Sequence, residues 1–162
     1  MQNDITTYRY IIYARKSKKA NADHPVHDIK SIRDQLGELR ELACREGLQI
    51  VDEMTENLTA KLPGRPVFNQ LLARIEKGEA NGILAWHPDR LARNPLDAGR
   101  VAWLLDTGAI KALRFPTVPF DPSSQGKFML GIAFGMSKLY IDNLSENIRR
   151  GQRQKLKNGI WP

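Results

Sequence analysis

The run Tyr10–Ser17, YIIYARKS, decides how the rest of the chain is read. Tyr10 to Ala14 are aromatic or apolar without a break, with Tyr8 just upstream, and the stretch is short and rich in strand-favouring residues. A strand with no polar alternation belongs inside a sheet covered on both faces. The run then ends in Arg15, Lys16 and Ser17, which sets a small hydroxyl among cations at the mouth of a core strand.

Outward from this strand, helix and strand signals alternate. Apolar residues at Ile29, Ile32, Leu36, Leu39 and Leu42, with charges between them, have helical spacing through Arg45, and Gly47 ends the helix. LQIVDEM (48–54) reads as a second strand, TENLTAKLPG (55–64) as a polar loop, and Pro66 to Lys77 as a second helix closed by Gly78. GILAW (82–86) is a third strand, Pro95 opens a helix through Leu105, and AIKALRF (109–115) is a fourth strand. This βα order predicts an α/β fold: a mostly parallel central sheet of about four to five strands, flanked by helices.

The last part changes character. After PTVPFDPSSQG (116–126), Asp121 is expected to cap, and Pro122 to enter the first turn of, a helix with no stop before Gly151 that continues toward Leu156. Phe128, Ile132, Met136, Tyr140, Leu144 and Ile148 recur every four residues along it, and Gly131 and Gly135 admit another backbone closely. The stripe either packs on its own sheet or meets a helix of a second subunit; its reach beyond a domain of this size favours the second. The chain therefore divides into an α/β core, 1–122, and a long oligomerisation helix, 123–162.

Composition agrees with one domain. With 162 residues, 41% of them hydrophobic, the chain can fill a single core. Its one cysteine, Cys44, excludes an intramolecular disulfide, suits a reducing cytoplasmic compartment, and is expected to pack within its helix. The start has no signal-peptide pattern, and no apolar run approaches the roughly 20 residues of a membrane span. A net charge of +7 and a pI near 9.7 favour a polyanionic partner, nucleic acid or an acidic membrane surface.

In an open parallel sheet, ligands bind beyond the carboxyl ends of the strands, where the first strand delivers Arg15 and Ser17. The third strand runs into HPDRLARNP (87–95), which brings Asp89, Arg90 and Arg93 to the same edge if the two strands are close. A hydroxyl, guanidiniums and a carboxylate on one rim suit phosphoryl transfer to serine: planar guanidiniums clamp non-bridging oxygens and favour an ionised Ser17. Asp89 would orient an arginine or handle a proton.

YARKS (13–17), SIRDQ (31–35), GRPVFNQLL (64–72) and DRLAR (89–93), in that order, make the chain resemble the serine site-specific recombinases, in particular the catalytic domain of large serine integrases. The resemblance spans about residues 8–150 and implies a resolvase-like fold. It implies that Ser17 joins covalently to a DNA 5′ phosphate, that Arg15, Arg90 and Arg93 surround the phosphate, and that Asp89 supports them. Tyr13, Gln35 and Arg65 match positions that line or order the family site, with Arg65 on a mobile loop. The long helix resembles the family's dimer helix, which implies dimers that pair into a tetramer on two DNA sites.

Two departures stand out. Family members often carry an arginine within the long helix, but MSKLYIDNLSENIRR (136–150) offers arginines only at Arg149 and Arg150. NGIWP (158–162) falls where a large recombinase continues through a linker to its DNA-binding domains, so the chain reads as a catalytic-domain fragment. No cofactor or metal is called for: His24 and His27 lack acidic or cysteine partners at ligand spacing, and His87 stands beside a proline. A non-catalytic DNA-binding and dimerising module and a metal-dependent nuclease remain the competing readings.

Overall fold

A computed structural model describes residues 8–16, 31–57 and 64–160. Strand β1 (Arg9–Arg15) lies inside a parallel sheet, between β2 (Gln49–Glu56) and β3 (Gly82–Ala85), with β4 (Ala112–Arg114) beyond β3. Every residue of β1 after Arg9 is buried. Ile11 and Tyr13 belong to a cluster with Phe68, Leu71, Val101 and Leu104, which come from α2 (Pro66–Glu76) and α4 (Pro95–Asp106). Tyr10 and Ile12 join Leu39, Leu42 and Ala43 of α1 (Ile32–Glu46) instead. The two-residue period of one strand thus serves two cores, each buried aliphatic side chain contributing roughly 1.5–3 kcal/mol. At Gly82 the sheet has room for no side chain, because a Cβ there would run into the Tyr10 ring.

The helix ends follow capping chemistry. Ser31 Oγ accepts from the Asp34 amide at 3.1 Å to open α1, and Gly47, at a left-handed φ of 65°, closes it. The expectation for the last helix needs correction: Ser123, not Asp121, caps α5 (Ser124–Lys157), its Oγ accepting from the Gly126 amide at 3.2 Å. Asp121 accepts from the Ser123 amide and hydroxyl, both at 3.0 Å, and so holds the cap in place. A single turn, α3 (Pro88–Leu91), was not anticipated; His87 caps it.

Helix α5 has 34 residues, a length of about 50 Å, and passes through Gly151 without a break. Among its described side chains, Leu130 and Phe134 are those it buries against the core. The anticipated stripe faces away: Phe128 is 67% exposed, Ile132 39%, Met136 65% and Ile148 46%. The side chains of Tyr140 and Leu144 lie outside those described. Packing of the whole stripe on its own sheet is therefore contradicted. Cys44, expected to pack, is exposed on α1.

Candidate active site

Because β1 and β3 are neighbours, with Tyr13 opposite Ala85, their carboxyl ends lie side by side. Arg15 ends β1 and is fully buried. Its guanidinium crosses to α3: Nη1 donates to Lys16 O at 2.9 Å, Nη2 to Asp89 O at 3.2 Å and Nε to Arg90 O at 3.3 Å. Burial, then the charges of Arg93 and Arg90, pull its pKa down to about 9 against the opposing pull of Asp89. It remains a cation at neutral pH.

Arg65 stands where the segment after β2 meets α2. It is the N-cap residue of α2, fully buried, with its guanidinium carbon 3.9 Å from the centre of the Phe68 ring. Nη1 donates to Tyr13 Oη at 3.1 Å and to Arg90 O at 3.4 Å; Nη2 donates to Leu91 O and, at 3.0 Å, to Asp97 Oδ2. Arg15 and Arg65 thus grip the main chain of α3 from two sides. Burial pushes the Tyr13 hydroxyl pKa above its ordinary value despite Arg65, so the ring stays a neutral hydrogen-bonding partner. Gln35, from the first turns of α1, donates through Nε2 to Arg15 O at 3.0 Å and fixes the end of β1.

The residues borne on α3 and just after it form the outer part of the site. Arg93 Nη2 donates to Asp89 Oδ2 at 2.9 Å, and Arg90 Nε lies 3.9 Å from Asp89 Oδ1. Burial works to raise the Asp89 pKa, but nearby His87 and the charges of Arg90 and Arg93 prevail and hold it well below the usual carboxylate range. His87 Nδ1 accepts from the Asp89 amide at 3.2 Å and lies 3.1 Å from Asp89 Oδ1. Burial also lowers the pKa of Arg90, whose guanidinium carbon is 5.5 Å from the centre of the Trp86 ring. Its Nε and Nη1 have no hydrogen-bond partner among the described residues.

Sequence reasoning missed Glu56, Asn94 and Asp97, all buried. Glu56 Oε2 accepts from the Phe68 amide at 2.9 Å and so caps α2, whose own N-cap, Arg65, offers no side-chain acceptor. Asn94 Oδ1 accepts from the Asp97 amide at 2.9 Å while its Nδ2 donates to Asp97 Oδ2 at 2.7 Å. The spacing NPLD (94–97) carries a signal for that reciprocal cap. Taken together, the cations Arg15, Arg65, Arg90 and Arg93 outnumber the carboxylates Glu56, Asp89 and Asp97 by one.

The model of the resolvase N-terminal domain matches residues 10–161. The chain belongs to the resolvase family of serine recombinases. Solved structures share the recombinase fold. The N-terminal catalytic domain of TP901-1 integrase has a TM-score of 0.58 at 22% identity, covering 83% of this chain and 97% of that one. A resolvase family site-specific recombinase from Streptococcus pneumoniae gives 0.52 at 20%, covering 93% and 99%. The C-terminal catalytic domain of ISC1926 TnpA, an IS607-like serine recombinase, gives 0.52 at 20%, covering 66% and 69%. No curated protein sequence matches the chain.

In this recombinase Arg15, Asp89, Arg90, Arg93, Tyr13, Gln35 and Arg65 form one bonded edge of the sheet. Ser17, His24 and His27 lie outside the described residues. Among the described residues no group of three or more His, Cys, Asp or Glu could hold a metal, and no helix is long and apolar enough to cross a membrane.

Proposed function

We propose that this recombinase exchanges DNA strands through Ser17. The Ser17 oxygen bonds to a backbone phosphorus as the bond from phosphorus to the 3′ oxygen breaks. Serine gives up its proton, and the departing 3′ oxygen takes one to leave as a hydroxyl. Rejoining reverses these steps with the 3′ hydroxyl of another strand. The observation that carries the reading is Arg90: a buried guanidinium with Nε and Nη1 uncommitted among the described residues, at the strand edge that leads to Ser17. Such donors suit the charge that builds on the non-bridging oxygens. Arg15, Arg93 and Asp89 complete the phosphate site, and Tyr13, Gln35 and Arg65 support it.

Residues 1–122 then form the catalytic core of a cytoplasmic enzyme, and residues 123–162 the helix through which homodimers form and pair into a tetramer on two DNA sites. The bare apolar face of α5 supports that assignment. On DNA carrying the recombination site and a nick beside the scissile phosphate, the protein should leave a species covalently linked to the 5′ end. Ser17→Ala should abolish that species while DNA binding persists. An adduct that survives in Ser17→Ala sinks the assignment. DNA binding without any adduct would favour a non-catalytic module, and cleavage abolished by chelators would favour a metal-dependent nuclease.

A further inference from the structure

Buried inside the recombinase, Asp97 faces Arg65 with both side chains 1% exposed and 3.0 Å apart. An ion pair so fully removed from water is a weak source of stability, since desolvation of both charges opposes their attraction. Its geometry has another use. Arg65 donates to the carbonyl oxygens of Arg90 and Leu91, and α3 with the residue two places beyond it carries Asp89, Arg90 and Arg93. Asp97 opens α4, where Asn94 fixes both its amide and its Oδ2. The chain of contacts therefore runs from α4 through Asp97 and Arg65 to the main chain that sets the outer arginines.

We propose that Asp97 is a positioning residue: through Arg65 it holds α3 so that the guanidiniums of Arg90 and Arg93 are aimed at the scissile phosphate. The proposal rests on the phosphoserine reading for its target, but the aiming itself is measurable without any reaction. Asp97 also supplies the negative charge that makes a buried Arg65 tolerable. Asp97→Asn keeps shape and an acceptor oxygen but removes the charge, which leaves Arg65 uncompensated.

The test compares Asp97→Asn with the double variant Arg65→Met, Asp97→Leu, which removes both charges. Asp97→Asn should lower the melting temperature by on the order of ten degrees, and the double variant should recover most of that loss. Both are assayed well below the melting transition and at saturating protein on nicked site DNA. Both should form adduct on the order of 100-fold more slowly, the scale of a reacting group misplaced by about an ångström. The Nε–H resonances of Arg90 and Arg93 should move in both variants in the absence of DNA. A double variant that regains the parent's rate together with its stability overturns the proposal, as do unmoved arginine resonances in both variants. If the parent forms no Ser17 adduct but the resonances move as expected, the positioning role stands and the phosphoserine reading falls.

Discussion

At the carboxyl edge of the sheet, charged side chains are buried and bound to one another; along α5, apolar side chains stand bare. Arg15, Arg65 and Asp97 are each 1% exposed, while Met136 is 65% exposed. Both regions invert the usual distribution of polar and apolar groups, and each inversion has a different remedy. Much of the edge satisfies itself, because Arg15 and Arg65 find carbonyls, a hydroxyl and a carboxylate within the same fold, while Arg90 Nε and Nη1 are left without a hydrogen-bond partner among the described residues. Among its described side chains the helix buries Leu130 and Phe134, while Phe128, Met129, Met136 and Leu139 stand exposed and need something from outside. A buried charge is a statement about this chain alone, whereas an exposed apolar stripe is a statement about its company.

The comparison breaks most visibly at Arg15. Arg15→Ala removes a donor from the carbonyls of Lys16, Asp89 and Arg90, of which Lys16 is exposed and Arg90 O keeps Arg65 Nη1, and a buried carbonyl left without a partner costs about 1–3 kcal/mol. The unfolding free energy from urea titration should fall by about 1–3 kcal/mol. A loss within about 0.5 kcal/mol, the range of an ordinary surface change, would mean that the edge is not self-satisfied.

On the other side, replacing both Ile132 and Met136 with glutamate should change the stability of the isolated chain by no more than about 0.5 kcal/mol, because both side chains are exposed. The same change should abolish self-association, measured by sedimentation at several concentrations, since it would bury charge without a partner in any helix pairing. A parent that stays monomeric at the highest concentration would remove the assembly argument. A double variant that unfolds would show the stripe to be internal.

A smaller effect lies in the acid limb. Asp89 has its folded pKa lowered, so it favours the folded state at every pH above its ordinary value of 3.8. That contribution should drain away as pH falls below 3.8 and through the lower folded value. In Asp89→Asn the unfolding free energy should be flatter across that window than in the parent. Identical acid limbs would show that His87, Arg90 and Arg93 do not hold the carboxylate as described.

The edge was legible in part because its pieces are local. YIIYARKS and GILAWHPDRLAR each pair a strand with the polar residues that follow it, so strand order alone brings them together. Asp97 and Glu56 were not legible as members of the site. Their partners Arg65 and Phe68 are 32 and 12 residues away, and no periodicity encodes such pairings. In α5 the four-residue spacing found a helix correctly, yet the face on the core is set by Leu130 and Phe134, two residues out of step with the stripe. Cys44 followed a general preference for burial that its outward position on α1 overrides.

The grip on α3 acts on carbonyl oxygens, which every residue possesses. Arg15 and Arg65 hold Asp89, Arg90 and Leu91 by main-chain oxygens and not by their side chains. Location and identity are therefore separable in this segment. A substitution that leaves Leu91 in the core alters what the turn presents while this main-chain attachment stays in place. The anchoring arginines have no such latitude, since the attachment depends on their own side chains.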